Sequence, residues 1–174
     1  FAILIWAIAA AADGGNARKV DPPIPSGFLI LKGKPQAPKT QFSNSKMAVT
    51  SIKSFKGKIV ILNLWATWCA PCIKEMPSLE KLAALLPQDK FRVIAVSQDR
   101  GGASVAKPFL DRIGIKKLDL YYDPTRRLSR DLGVRGLPTT IIIANDGTIV
   151  SRLEGVAEWD TKEVIEFLIS LSDS

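Results

Sequence analysis

The 174-residue chain has no histidine and only two cysteines. Without histidine it lacks the commonest general base and the commonest metal ligand, which excludes most cysteine–histidine hydrolases. The cysteines stand at positions 69 and 72, and one bridge between them would close too short a loop to add much stability. Since 47% of the residues are hydrophobic, enough to build a core, the two cysteines are free to serve chemistry rather than folding.

The sequence also lacks a block of basic residues. Its formal net charge of +7 is spread along the chain, which favours a solvated basic surface over a nucleic-acid site. No glycine-rich phosphate loop follows a predicted strand, so nucleotide binding has no support. We therefore expect neither a nucleic-acid partner nor a nucleotide ligand.

Residues 1–12 form an uncharged apolar run that ends before Asp13. The run is too short to span a bilayer, which needs about 20 residues, but it suits the core of a signal peptide or the outer part of an anchor helix. Ala10 and Ala12 fit a small-residue cleavage site, so cleavage stays open. A buried core helix is the alternative, and the absence of a polar face argues against it. We expect the remnant of a signal peptide or membrane anchor here.

Residues 13–45 are rich in glycine and proline and have weak hydrophobic periodicity. This composition predicts a linker and irregular lead-in, so an N-terminal tether would lie outside the folded domain. Within it, residues 28–31 form a short apolar patch that could dock on the domain. The domain itself is expected to cover residues 46–174.

A continuous apolar run over residues 59–64 predicts a central strand that is buried on both faces. The helical spacing of apolar residues over 73–86 predicts a helix, which Pro77 should bend. Further strands are predicted over 91–96, 118–122, 139–143 and 148–153, and further helices over 104–112, after Asp123-Pro124, and from a capping-box-like start at Asp160 and Glu163. Strands that alternate with helices and close in a hairpin predict an α/β sandwich.

Both cysteines lie in the segment Trp65-Ala66-Thr67-Trp68-Cys69-Ala70-Pro71-Cys72, where the central strand gives way to the helix. A Cys-x-x-Cys pair at such a junction is typical of a redox dithiol. A zinc site would need a second ligand pair, and a structural disulfide would gain little from so short a loop. A Cu(I) site is the more serious alternative, because two thiolates can hold that ion.

Cys69 should lie at the N-terminus of the helix, where free N–H groups and the helix dipole favour a thiolate, so we predict that it is the nucleophile. Pro71 contributes no N–H and helps to fix the turn between the sulfurs, while Trp65 and Trp68 should pack around the site. Cys72 would lie further inward and resolve the mixed disulfide formed by Cys69.

Four segments share one pattern: Phe55-Lys56-Gly57-Lys58, the run from Asn63 to Cys72, Glu75-Met76-Pro77, and Gly133-Val134-Arg135-Gly136-Leu137-Pro138-Thr139-Thr140. This pattern resembles the TlpA/ResA branch of the thioredoxin superfamily, over roughly residues 34–174. The resemblance implies a thioredoxin-like three-layer sandwich with a central mixed β-sheet. It also implies an exported or membrane-tethered bacterial thiol:disulfide oxidoreductase.

The resemblance assigns further site residues. It implies that Glu75, one turn past Cys72, is an acidic catalytic group near the dithiol; a solvated glutamate on the helix face is the alternative. It implies a cis Leu137-Pro138 peptide bond, with the preceding backbone open to an extended substrate; an ordinary strand-initiating proline is the alternative. Asn63 stands where thioredoxins carry a buried acid, so that proton acceptor is missing. The expected substrate-binding residues are Trp68, Pro71, Leu137 and Pro138.

The resemblance also implies a biological setting. It favours an enzyme that reduces protein disulfides in cytochrome c or cytochrome oxidase biogenesis and receives electrons from a membrane thiol donor. We expect a periplasmic or otherwise extracytoplasmic monomer, anchored to the inner membrane by its N-terminus, with no metal and no cofactor besides the redox-active Cys69–Cys72 disulfide. The alternative is a copper-handling or partner-binding module with the same fold, which Cu(I) titration beside a disulfide-reduction assay would distinguish.

Overall fold

The computed structural model describes residues 22–173, so the predicted signal or anchor remnant over residues 1–12 lies outside the described residues, as does the start of the predicted linker. The described chain forms one eight-stranded sheet and four α-helices. The strands are β1 (Phe28–Ile30), β2 (Gln41–Asn44), β3 (Val49–Ser51), β4 (Ile59–Trp65), β5 (Phe91–Ser97), β6 (Asp119–Tyr122), β7 (Thr139–Ile143) and β8 (Ile149–Glu154). The helices are α1 (Ala70–Leu85), α2 (Ala103–Arg112), α3 (Arg127–Asp131) and α4 (Lys162–Ser170), with 3-10 turns at Ile52–Phe55 and Leu171–Asp173.

The sheet is built around β4, all of whose residues are buried. This strand pairs in parallel with β5 and antiparallel with β7, and the full strand order is β1-β8-β7-β4-β5-β6-β2-β3. A strand covered on both faces needs an apolar side chain at nearly every position, which is why its sequence is a continuous apolar run. The predicted central strand and mixed sheet are confirmed.

Side chains of β4 alternate between two apolar cores. Ile61 and Trp65 face the core that α1 covers through Met76. Leu62 faces the opposite core, which includes Leu128 of α3. Helices therefore close the sheet from both sides, and the predicted three-layer α/β sandwich is confirmed.

The predicted linker over residues 13–45 contains two strands of the sheet, which is a correction to the expected domain boundary at residue 46. β1 pairs antiparallel with β8, and the Phe28 ring packs edge-on against Trp159 and Phe167 at centroid distances of 5.7 and 5.4 Å. β2 pairs with both β3 and β6. Strands of three or four residues between glycines and prolines are too short to produce a periodic pattern, so only their pairing partners define them.

Two helix starts also differ from the sequence-based expectation. The α4 N-cap is Thr161, whose hydroxyl oxygen accepts a hydrogen bond from the Val164 N–H at 3.4 Å, whereas Asp160 pairs with Lys81 at 3.0 Å. At α3, the Asp123 carboxylate accepts hydrogen bonds from the N–H groups of Arg127 and Leu128, so the helix begins four residues after this acid rather than beside it. The predicted acids therefore lie near both helix starts, but neither of them is the N-cap residue.

None of the helices between residues 22 and 173 combines the length and apolar composition needed to cross a bilayer.

Candidate active site

The dithiol lies at the edge of the sheet where β4 and β5 end and β7 begins. Cys69 is the N-cap residue of α1 and is joined to Cys72 by a disulfide bond. Its sulfur accepts a hydrogen bond from the Cys72 N–H at 3.3 Å, and Pro71 occupies the first turn, where a missing N–H costs no helical hydrogen bond. The free N–H groups and positive dipole end of α1 thus face the Cys69 sulfur and would stabilise negative charge on it.

The two sulfurs differ in access. Cys69 is 5% exposed and Cys72 is fully buried at 0%. The two tryptophans of the segment also differ in exposure: Trp65 is buried in the core, whereas Trp68 is 61% exposed. Only Trp68 therefore lies on the surface beside the dithiol, where the guanidinium carbon of Arg126 lies 5.4 Å from its ring centroid.

Asp99 fixes the loop that leads from β4 to the dithiol. Its carboxylate accepts hydrogen bonds from the Thr67 hydroxyl at 2.7 Å, the Thr67 N–H at 3.0 Å and the Ser97 hydroxyl at 2.9 Å. Sequence reasoning missed this residue. A signal was present, because an acid just past the end of the neighbouring parallel strand lies at the same sheet edge as the dithiol.

Glu75, one helical turn past Cys72 on α1, is buried rather than solvated on the helix face. One carboxylate oxygen accepts a hydrogen bond from the Asn63 side-chain amide at 2.8 Å. The other accepts from the Trp159 indole N–H at 3.0 Å and the Ala157 N–H at 3.2 Å. Asn63, on β4, also donates to the Thr140 hydroxyl of β7 at 2.9 Å. Glu75 is therefore the centre of a network that joins α1, two strands and the segment before α4.

Burial raises the pKa of the Glu75 carboxyl above its ordinary value, because removal from water penalises the charged form. The hydrogen bonds from Trp159, Asn63 and Ala157 oppose this rise in pKa by stabilising the carboxylate. Sequence reasoning identified Glu75 and noted Asn63, but it missed Trp159 and Ala157, which lie more than 80 residues further along the chain. No local pattern links such distant segments.

The Leu137–Pro138 peptide bond is cis, as the family resemblance implied. Thr139 pairs with Leu64 across β7 and β4, so Leu137 and Pro138 lie beside the chain that continues from β4 towards the dithiol. The Pro138 carbonyl accepts a hydrogen bond from the Gly155 N–H at 2.9 Å. Within residues 22–173, neither the Leu137 N–H nor its carbonyl has a backbone hydrogen-bond partner.

Among residues 22–173 there is no group of three or more histidine, cysteine, aspartate and glutamate side chains that could hold a metal ion. A Cu(I) ion at the dithiol would have the two sulfurs as its protein ligands.

Comparisons with known proteins agree with this geometry. Residues 34–152 match the AhpC/TSA family. The chain is 33% identical over 144 residues to the thiol-disulfide oxidoreductase ResA of Bacillus thuringiensis (strain Al Hakam), covering 80% of each chain. It is 34% identical over 119 residues to the thiol:disulfide interchange protein HelX of Rhodobacter capsulatus, covering 67% of this chain and 65% of that one.

A solved structure extends the similarity to three dimensions. A protein of Chlorobium tepidum, described as a candidate thiol:disulfide interchange protein DsbE, superimposes with a TM-score of 0.70 at 27% identity, covering 81% of this chain and 99% of that one. Its fold and its description agree with a dithiol at the end of a central strand. The chain therefore belongs to the AhpC/TSA family and is a thiol-disulfide oxidoreductase of the ResA, HelX and DsbE type.

Proposed function

We propose that this enzyme reduces disulfide bonds of exported proteins in cytochrome c or cytochrome oxidase biogenesis. The observation that carries the chemistry is the placement of Cys69 at the α1 N-terminus, more exposed than Cys72 and on the same helix as a buried carboxylate. The biological setting is supported by the similarity to ResA and HelX proteins. It is an inference from relatedness, since one fold serves many substrates.

The reduced enzyme would act in two exchange steps. The Cys69 thiolate attacks one sulfur of a substrate disulfide, which forms a mixed disulfide and releases the other substrate sulfur as a thiolate that takes up a proton. Cys72 then loses its proton and attacks the Cys69 sulfur, and the second substrate sulfur leaves and is protonated. The substrate gains two electrons and two protons, and the enzyme is left as the Cys69–Cys72 disulfide seen in the structure.

Glu75 is our proposed acceptor for the Cys72 proton. All three of its hydrogen-bond partners are donors, which is the arrangement that an ionised carboxylate requires. Burial nevertheless raises the pKa of Glu75, so the group gains a proton more readily than a solvated glutamate does. Hydrogen bonds stabilise the charged form of this carboxyl group, while burial raises its pKa. A group with these opposing influences, one helical turn past Cys72, is suited to general base catalysis.

Replacing Glu75→Gln should slow the resolving step by about 100-fold, because the amide cannot accept the Cys72 proton. In the unmodified enzyme the carboxylate form accumulates as the pH rises through the raised pKa of Glu75, so the rate should climb over that range. In the Glu75→Gln variant, the rate of the resolving step should no longer rise over this pH range. Single-turnover reduction of a disulfide peptide and thiol alkylation, each followed across pH, measure the effect.

The control for this experiment is Glu166→Gln, which removes an exposed carboxylate of α4 that pairs with Lys162 at 3.6 Å. It should leave both pH profiles unchanged. If Glu75→Gln also leaves the alkylation profile unmoved, Glu75 has no part in the proton transfer.

The substrate is proposed to lie against Trp68, Pro71, Leu137 and Pro138. An extended segment can pair with the free N–H and carbonyl of Leu137, which would hold the scissile disulfide next to Cys69. The exposed Trp68 ring supplies an apolar wall at the same place. Main-chain pairing of this kind tolerates different side chains, so these residues would bind disulfide-bearing segments in general.

The proposed location is extracytoplasmic, with an N-terminal membrane anchor and a membrane thiol donor that returns electrons to the Cys69–Cys72 disulfide. The apolar run over residues 1–12 and the similarity to ResA and HelX proteins support this proposal. A dithiol outside the cytoplasm is oxidised by its surroundings, so a reductase there needs a dedicated electron supply.

The direction of the reaction is tested by the reduction potential of the dithiol. A reductase should equilibrate near the value of thioredoxin, about −270 mV, whereas an oxidant should lie near about −120 mV. Equilibration of the full chain in glutathione and dithiothreitol buffers, followed by alkylation and mass spectrometry of both cysteines, gives the potential. A value at the oxidising end would contradict reduction as the physiological direction.

A further inference from the structure

Arg126 is held in an unusual backbone conformation next to the dithiol edge. It is the residue before α3 and adopts a left-handed φ of 56°, which is uncommon for a residue with a side chain. The Asp123 carboxylate fixes the surrounding turn by accepting hydrogen bonds from Thr125, Arg127 and Leu128. The conformation of this turn is therefore set by a buried acid rather than by Arg126 itself.

The Arg126 side chain is also held in place by a hydrogen bond from its Nε. Its Nε donates to the Gln98 carbonyl at 3.1 Å, and the Gln98 N–H in turn donates to the Trp65 carbonyl at 2.8 Å. This chain of contacts ties the guanidinium to the ends of β5 and β4, where the dithiol segment starts. The guanidinium lies against the Trp68 ring, and Trp68 directly precedes Cys69.

The remaining donors of this guanidinium are free within the described chain. In residues 22–173, neither terminal nitrogen of Arg126 has a hydrogen-bond partner, and no carboxylate forms an ion pair with it. Asp99 and Asp123 are both buried, and their carboxylates accept hydrogen bonds from Thr67 and Leu128 respectively. The planar, positively charged guanidinium of Arg126 thus lies near the nucleophile with N–H donors that no carboxylate of the described chain pairs with.

The basic character continues away from the dithiol. A groove of about 770 Å³ is lined by Thr125 and Arg127, the two chain neighbours of Arg126, and by the further cations Lys39 and Arg130. Its one acid is Asp131, whose carboxylate accepts a hydrogen bond from the Thr40 hydroxyl. A surface with an excess of one charge raises the local concentration of partners that carry the opposite charge.

We propose that Arg126, stacked on Trp68, selects protein substrates that carry aspartate or glutamate beside the disulfide. This inference rests on the proposed disulfide exchange and specifies the substrate class of the same site. The guanidinium would bind the substrate carboxylate through two N–H donors, while the Trp68 ring covers the neighbouring backbone. The groove lined by Lys39, Arg127 and Arg130 would attract acidic residues further along the same segment.

The test compares three peptides that contain one internal disulfide and differ in the flanking residue: glutamate, glutamine or lysine. The reduced full chain should reduce the glutamate peptide about fivefold faster than the glutamine peptide, and the lysine peptide more slowly still. The difference should shrink as ionic strength rises from about 20 mM to about 500 mM, because salt screens the attraction. Stopped-flow tryptophan fluorescence gives the second-order rate constants.

The informative variant is Arg126→Asn, because asparagine tolerates the left-handed conformation and carries no charge. It should bring the glutamate-to-glutamine ratio close to one, and Arg126→Lys should restore part of the preference. The matched control is Arg112→Asn. Arg112 lies at the far end of α2 with its guanidinium 5.0 Å from the Phe109 ring centroid, so its replacement removes the same charge and the same kind of contact away from the dithiol.

Failure of this proposal is distinguishable from failure of the proposed function. If the unmodified enzyme reduces all three peptides equally fast, or Arg112→Asn lowers the ratio as much as Arg126→Asn, Arg126 does not select the substrate. If no peptide is reduced, disulfide reduction is itself in question. In that case, binding of peptides with both cysteines replaced by serine tests recognition independently of reduction. Tighter binding of the glutamate peptide than of the glutamine peptide to the oxidised protein supports the proposal, and equal binding overturns it.

Discussion

Replacement of Cys72→Ser should turn the enzyme into a trap that stays covalently joined to its substrate through Cys69. The first exchange step needs only the Cys69 thiolate at the α1 N-terminus, and that thiolate remains. The second step needs a thiol that reaches the Cys69 sulfur, and the chain has no other cysteine. Multiple turnover should therefore fall by about a thousandfold or more, while the first step proceeds.

The converse variant, Cys69→Ser, should form almost no adduct. Cys72 is fully buried within the first turn of α1, so a substrate disulfide cannot approach its sulfur in line. Incubation of each variant with a disulfide peptide, followed by non-reducing electrophoresis and mass spectrometry of the linked fragment, identifies the joined cysteine. The double variant serves as the blank. An adduct at Cys72 in comparable yield would reverse the two roles.

Sequence predicted the parts of this site that lie close together in the chain. An apolar run followed by Cys-x-x-Cys and a helical pattern is enough to place Cys69 at a helix start, because strand, turn and helix are consecutive. The structure confirms this local arrangement in β4 and α1. The same holds for the β7–β8 hairpin, which a tight turn at Asn145-Asp146-Gly147 specifies.

Sequence did not predict the contacts that join distant segments. Trp159 donates its indole N–H to Glu75, and Phe28 packs against the same tryptophan, although the three residues come from different parts of the chain. A tryptophan before a helix is more often a core residue than a partner of a buried acid, and nothing in its neighbourhood distinguishes the two. The Arg126–Trp68 contact has the same origin, since it depends on how α3 packs beside β5.

Replacement of Asn63→Asp should destabilise the protein strongly at alkaline pH. The Asn63 amide donates to Glu75 at 2.8 Å, and both side chains are buried, so a carboxylate at position 63 would face a second carboxylate without a hydrogen between them. An uncompensated buried charge costs about 3–5 kcal/mol of unfolding free energy. Either the pair remains doubly charged at that cost, or the two groups share one proton.

The pH dependence of that loss follows from where protons bind. Glu75 already has a raised pKa in the folded protein, and a neighbouring carboxylate would raise it further. Between the unfolded pKa of about 4 and the raised folded pKa, the folded state binds more protons, so stability falls as pH rises. Below about pH 4 both acids are protonated in both states, and the penalty disappears. Urea unfolding of the oxidised protein at pH 5 and pH 8 should show a larger loss at pH 8.

The double variant Asn63→Asp with Glu75→Gln shows whether like charge is the cause. It exchanges amide and carboxylate, so the introduced glutamine can donate to position 63 while its oxygen still accepts from Trp159 and Ala157. Most of the lost stability should return, as a coupling between neighbouring sites. If the single variant loses the same stability at both pH values, or the double variant recovers none, charge repulsion is not responsible.

The same double variant tests whether proton transfer needs the buried acid at position 75 or only a buried acid at either position. It transfers the carboxylate of the network from α1 to β4, the place where thioredoxins carry theirs. If the resolving step regains the pH dependence that Glu75→Gln alone should abolish, one buried carboxylate in either position serves to accept the Cys72 proton. If stability returns but the rate does not, proton transfer requires a carboxylate on α1, one turn past Cys72. Asn63 would then be needed to keep Glu75 as the single acid of this network.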